Sequence, residues 1–276
     1  MARNKYWKNI ISLASFLLLF ILFSCSKNFN SSSNSKVIGH GGMGVASTYP
    51  MNSLESLLKA LNVGADGVEI DVQMTKDGVL VAFHDEFLED RSNGTGKINE
   101  QHWEDISDLY YTNYPYLSYK VRGLQQVLEQ LKAYQPLIIL DIKNTYAYNE
   151  VMAERFDSTL SETLMMYEDD IHFILESKEA DWLSYMQNHF PGIGTLLYGY
   201  DFVETKELLI SYDLDGMAIE LSALNDIEPA ILQNANFEIS VFNVHNKTQN
   251  KTSLDLNIDY IQTENIQQLL RLRGNN

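Results

Sequence analysis

The apolar runs of this chain predict an α/β fold, a TIM (β/α)8 barrel with a hairpin extension after its second strand and a small insertion before its third. Three observations carry that expectation. Short strand-like runs at 37–39, 67–73, 79–83, 137–142, 171–175, 194–198, 216–220, 238–242 and 258–262 alternate with helical periodicity at 53–62, 124–133, 149–166, 179–189, 202–211, 226–234 and 265–272. Residues Thr75-Lys76-Asp77-Gly78 form a turn signal between two apolar runs, so 79–83 folds back as the second leg of a hairpin and eight strands are left for the barrel. A length of 276 residues suits one large barrel domain without requiring two. Periodicity by itself also permits an open doubly wound sheet.

In chain order, the first element is a leader. Arg3, Lys5 and Lys8 precede an apolar run from Ile10 to Phe23, which is short of the ~20 residues a spanning helix needs. The run ends in Leu22-Phe23-Ser24-Cys25, which resembles the lipobox where bacterial lipoproteins are acylated and cleaved. The expectation is therefore a lipoprotein signal peptide over 1–24, a lipidated Cys25, and a Ser/Asn-rich flexible tether over 25–36. The folded domain then occupies 37–276, in the bacterial cell envelope and anchored by lipid, with the outer membrane the favoured site. Cys25 is the sole cysteine, so no intramolecular disulfide can form.

The first domain strand, Lys36-Val37-Ile38-Gly39, ends in His40 followed by two glycines, which offers a candidate acid or base. On the second strand, alternation turns Glu69 and Asp71 to one face and Val68, Ile70 and Val72 to the other. Two carboxylates on one face suit a divalent cation. The hairpin then carries His84 and Asp85 back towards those acids. Residues 86–123 fit neither element: Asn93-Gly94-Thr95-Gly96 marks turns, and Tyr110, Tyr111, Tyr114, Tyr116 and Tyr119 cluster around Pro115. So long an excursion beside candidate site residues is functional, or else a small aromatic-packed subdomain.

The block from Glu69-Ile70-Asp71 to His84-Asp85 resembles the glycerophosphodiester phosphodiesterase family, whose pattern is His-Arg-Gly, Pro-Glu-Asn, Glu-x-Asp and a His-Asp after Thr-x-Asp-Gly. Leu140-Asp141-Ile142-Lys143 is similar to its Leu-Glu-Ile-Lys strand. Val241 to Asn246 and Tyr260 to Glu264 resemble its last two strands, so the resemblance spans roughly residues 37–271. It implies the barrel rather than the open sheet, and an activity as a metal-dependent phosphoric diester hydrolase. The substrates implied are glycerophosphodiesters or related lipid head groups, cleaved to an alcohol and a phosphomonoester such as glycerol 3-phosphate.

Under that resemblance Glu69, Asp71 and Asp141 supply three hard oxygen ligands for one divalent ion, Ca²⁺ or Mg²⁺. His40 and His84 divide the proton transfers, with the acid and base roles unassigned and the nucleophile either water or a neighbouring glycerol hydroxyl. Lys143, two residues after Asp141 on the same strand face, lies beside the phosphate. His102, His172, His189 and His245 are read as structural. Two departures stand out: His40-Gly41-Gly42 lacks the family's arginine, and Pro50-Met51-Asn52 lacks its glutamate. If the missing guanidinium limits binding, Gly41→Arg would lower KM.

Charge narrows the partners. The formal net charge is −17, and loss of the three basic residues before Cys25 takes it to about −20 by the same counting. Nucleic acid and anionic lipid surfaces are disfavoured as partners. The membrane is met through Cys25, the substrate is a small phosphodiester, and the pattern assigns no oligomeric state. Two other activities fit the same residues: a phospholipase-D-like or cyclising action on lysolipids, and a catalytically silent phosphodiester-binding lipoprotein.

Overall fold

The strand-like runs become one sheet that closes on itself. In the computed structural model, which describes residues 34–45, 47–112 and 119–274, these are β1 (Lys36–Gly39), β2 (Gly67–Met74), β3 (Leu80–Ala82), β4 (Arg122–Gly123), β5 (Leu137–Ile142), β6 (His172–Ser177), β7 (Gly194–Gly199), β8 (Gly216–Glu220), β9 (Glu238–Val244) and β10 (Tyr260–Thr263). All but β3 and β4 run parallel, and β1 pairs with both β2 and β10. That closure makes the fold a TIM barrel and removes the open-sheet alternative. β3 is antiparallel to β2, with Val72 opposite Ala82, and β4 continues antiparallel to β3. This is the hairpin extension that the Thr75–Gly78 turn predicts. The leader 1–24, Cys25 and the tether as far as residue 33 lie outside the described residues, as do Tyr114, Pro115 and Tyr116.

Helices connect the parallel strands: α1 (Leu54–Asn62), α2 (Leu124–Leu131), α3 (Glu150–Tyr167), α4 (Ala180–His189), α5 (Phe202–Ser211), α6 (Glu228–Asn234), α7 (Lys247–Asp255) and α8 (Ile266–Arg273). Their starts are set by side-chain caps that satisfy otherwise orphaned N–H groups. Ser53 accepts from Ser56 N at 3.2 Å, Asp201 from Val203 N and Glu204 N at 3.0 Å, and Asn246 from Thr248 N at 3.0 Å. Helix α7 was not predicted. Its buried face is made by Asn250 and Ser253, so there is no apolar stripe for a periodicity search to find. Ser35 and Lys36, counted above with the tether, already belong to the barrel: Lys36 N donates to Asp259 O at 2.7 Å and Ser35 O accepts from Arg273 at 2.9 Å. Among the described residues no helix is long and apolar enough to cross a membrane.

Every residue of β2 is buried, because alternation serves two cores. Val68, Ile70, Val72 and Met74 point outward into the layer beneath the helices, with Leu140, Leu175 and Leu197 from neighbouring strands. Inside the barrel, Ile38, Ile139, Ile174, Leu196, Ala218 and Tyr260 form an apolar plug. The excursion has a third core of its own, in which Phe83, Leu88, Ile98, Ile106, Tyr111 and Val121 pack together and the Phe83 and Tyr111 rings stack at 6.0 Å. For Tyr111, then, aromatic packing is the structural role, and it offsets the cost of a hydroxyl buried with no hydrogen-bond partner among the described residues.

Candidate active site

Above the apolar plug, one step further along the inner strand faces, the side chains become acidic. Pairing places Asp71 opposite Asp141 and Asp141 opposite Glu176, so β2, β5 and β6 set three carboxylates in one inward row. Glu69, Asp71 and Asp141 each bring an oxygen within 4.8 Å of the others. Each is held from behind. Gly41 N donates to Glu69 Oε2 at 2.7 Å, and Asn52 Nδ2 donates to Asp71 Oδ2 at 2.6 Å while Asn52 Oδ1 accepts from Asp71 N at 3.0 Å. Lys143 donates to Asp141 and stands 3.2 Å from Asp71 Oδ1.

Burial and crowding act on these groups unequally. Desolvation, then the charges of Asp71 and Asp141, push the Glu69 carboxyl well above its usual range. Burial and Asp71 likewise raise Asp141 despite Lys143. Burial pushes Asp71 upward too, but Lys143, His84 and the Asn52 hydrogen bond outweigh it and hold the group low. Burial alone would depress Lys143, yet the surrounding carboxylates raise it well above a free lysine. Glu69 Oε1 is buried with no hydrogen-bond partner, a costly arrangement for a carboxylate oxygen. An all-oxygen set with an orphaned acceptor and mutual repulsion is the donor chemistry of a hard divalent cation, so the residues fit one.

The two histidines flank this row. His84 follows β3, and its backbone is fixed by Gln73, whose Nε2 donates to Phe83 O at 2.8 Å and Asp85 O at 2.9 Å. Its Nδ1 meets Asp85 Oδ1 at 3.0 Å, and Arg91 holds the other Asp85 oxygen at 2.5 Å. The Asp85 hydrogen bond, and then the charge of Asp71, raise the His84 pKa. His40, at the end of β1, places Nδ1 3.6 Å from Glu264 Oε1. That is ion-pair range but too long for a hydrogen bond, and the atom has no hydrogen-bond partner. Glu264 also meets His245 Nδ1 at 3.1 Å. Of the four histidines read as structural, His245 therefore shares a carboxylate with His40.

All six predicted site residues gather at the C-terminal mouth of the barrel, the face where such barrels carry their sites. Several neighbours went unassigned. Asn52 lies in Pro50-Met51-Asn52, yet the motif alone does not show that it clamps Asp71. Glu176, buried beside Asp141 and raised well above a normal glutamate by desolvation and then by Asp141, accepts from Gln262 Nε2 at 2.7 Å. It is the penultimate residue of β6 as Asp141 is of β5, and the same strand-end reading would have found it. The two departures at Gly41 and Met51 prove to be one. Gly41 has φ +52°, and a Cβ there would lie 2.7 Å from Met51 Cε and 2.9 Å from Met51 Cβ. The expectation that Gly41→Arg simply improves phosphate binding is corrected: Met51 fills that space.

Comparison with known proteins agrees with the fold. A family model described as the glycerophosphoryl diester phosphodiesterase family matches residues 43–268. A Caldanaerobacter subterraneus subsp. tengcongensis protein named glycerophosphodiester phosphodiesterase is 41% identical over 73 residues, which cover 26% of this chain and only 29% of that protein. A Bacillus altitudinis protein of the same name is 24% identical over 254 residues, covering 86% of this chain and 98% of the relative. Among solved structures, an Oleispira antarctica phosphodiesterase in complex with the product sn-glycerol-3-phosphate superimposes with a TM-score of 0.77 at 21% identity, over 86% of this chain and 96% of that one.

Proposed function

This chain belongs to the glycerophosphoryl diester phosphodiesterase family of phosphoric diester hydrolases, and on that footing we propose that it hydrolyses glycerophosphodiesters to an alcohol and a phosphomonoester. The observation that carries the reading is the convergence of Glu69, Asp71 and Asp141 within 4.8 Å at the barrel mouth, with His84 and His40 beside them. Those three residues would hold one divalent ion, Ca²⁺ or Mg²⁺. When bound it supplies Lewis-acid polarisation of a phosphoryl oxygen and offsets the repulsion between an anionic diester and an acidic protein.

The chain's own groups account for the proton transfers. Asp85 engages His84 Nδ1, which leaves Nε2 as the nitrogen that can serve the reacting atoms. The Asp85 contact, the largest cause of the raised His84 pKa, keeps the imidazole protonated to higher pH. His84 accordingly gives its proton to the departing alkoxide. His40, steadied by Glu264, takes the proton of the incoming hydroxyl. Lys143 Nζ, beside Asp71 and Asp141, offers positive charge to a non-bridging phosphate oxygen.

Replacing His40 or His84 singly by Ala is expected to lower kcat at least ~10²-fold, the usual worth of acid-base catalysis. Calorimetric affinity for Ca²⁺ or Mg²⁺ should stay near wild type, because neither histidine is among the ligands. Turnover unaffected by both changes contradicts the assignment. Wild-type protein that binds a diester tightly and cleaves none would establish a silent binder instead.

We further propose that the domain reaches the cell envelope on a lipid anchor. The support is the sequence Leu22-Phe23-Ser24-Cys25 after a basic and apolar leader. Mass spectrometry of protein from a bacterial host should find residues 1–24 gone and acyl chains on Cys25. An intact N-terminus would contradict this.

A further inference from the structure

The excursion over 86–123 packs a core of its own, and one side chain beside that core reaches back to the histidine pair. Arg91 closes a single helical turn that begins at Leu88, which is fully buried with Phe83, Ile98 and Tyr111. Its backbone is tied on both sides. Arg91 N donates to Leu88 O at 3.4 Å, and Arg91 O accepts from Thr112 N at 3.0 Å, across the excursion. The next residue, Ser92, is buried, bridges to Tyr111 and donates from Oγ to Leu88 O at 2.7 Å. From this fixed point the Arg91 side chain spans to Asp85, where Nε donates to Oδ2 at 2.5 Å.

The two oxygens of Asp85 are thereby divided between two partners, with Oδ1 facing His84 Nδ1 at 3.0 Å and Oδ2 facing the guanidinium. The His84 side chain is 40% exposed, so packing alone does not fix its ring. Asp85 has to do so, and a carboxylate anchored at one oxygen only is free to turn away. A charge-assisted bond on the far oxygen removes that freedom. Burial works against the charge of Asp85, while the His84 hydrogen bond and then the Arg91 charge keep the group low. An imidazole whose Nδ1 is held in this way keeps Nε2 aimed at the reacting atoms. Gln73 secures the backbone of the pair, and Arg91 secures the side chain.

We propose that Arg91 is a positioning residue for the general acid His84, acting through Asp85, and that the excursion serves catalysis by carrying it. This rests on the hydrolase reading above. The test compares kcat for glycerophosphoinositol with kcat for the p-nitrophenyl ester of glycerol 3-phosphate, in wild type, Arg91→Met and Arg91→Lys with Ca²⁺ or Mg²⁺ present. The inositol alkoxide needs a proton as it departs, whereas p-nitrophenolate leaves without one. Arg91→Met should lower kcat for the inositol ester about tenfold, a part of the ~10²-fold or more that a general acid contributes, with KM little changed. The nitrophenyl ester should keep its wild-type kcat. Both esters are read in one preparation, so their ratio does not depend on how much of a variant folds. Arg91→Lys should recover most of the wild-type ratio, because an ammonium can still meet Asp85 Oδ2 as a point charge. Equal losses on both esters, or no loss on either, would mean that Arg91 only supports the excursion, and the positioning role falls while hydrolysis stands. Wild-type protein that cleaves neither ester overturns the hydrolase reading and the positioning role with it.

Discussion

At Asp71 burial and charge pull in opposite directions, and charge wins. The carboxylate keeps Asn52, Lys143 and His84 around it and stays low, while Glu69, Asp141 and Glu176 in the same row are pushed up. A row of carboxylates this close cannot all carry full charge without a cation to share. Gly41 and Met51 illustrate a different balance, because the residues that depart from the family pattern touch one another. Gly41→Arg alone would put a Cβ at positive φ against Met51, and strain of this kind costs of order 1–3 kcal/mol. Thermal and denaturant unfolding should show that loss, and it should be smaller when Met51→Ala is combined with it. A coupling energy of at least ~0.5 kcal/mol is expected from the double-mutant cycle. Additive effects, or a Gly41→Arg protein as stable as wild type with a lower KM, would contradict the contact. The sequence disclosed both departures but not their contact, since nothing in the order of residues says that Met51 folds over Gly41.

Legibility varied by element for physical reasons. Strand β5 was placed in full and β2 to within its last residue, Met74, because both of their faces are buried, one by apolar side chains and one by acids whose alternation is visible in Glu69-Ile70-Asp71. The hairpin was legible from Thr75–Gly78, where Thr75 Oγ1 donates to Asp77 Oδ1 at 2.6 Å and accepts from Val79 N at 2.9 Å. Helix α7 was not, because Asn250 makes its buried contacts through hydrogen bonds, with Thr263 Oγ1 donating to Asn250 Oδ1 at 2.9 Å. The short β4 escaped notice because two residues carry no period. In the excursion, turns at Asn93–Gly96 were readable, but its core depends on Ile98, Ile106 and Tyr111 meeting Phe83 from far along the chain.

For the whole molecule, the closed barrel brings groups from β1, the β2–β3 hairpin, β5, β6, β9 and β10 to a single rim. The chain carries a net charge of −17, so an anionic diester needs local positive charge, which Lys143 and the proposed cation on the acids would supply. The central claim is that hydrolysis depends on a divalent ion held by Glu69, Asp71 and Asp141. It is tested most directly by ³¹P NMR of glycerophosphoinositol incubated with the wild-type protein. With Ca²⁺ or Mg²⁺ present, the diester resonance should give way to that of a phosphomonoester; excess chelator should stop the conversion, and fresh metal should restart it. Conversion that continues undiminished in chelator, or that never occurs with either metal, would contradict the account.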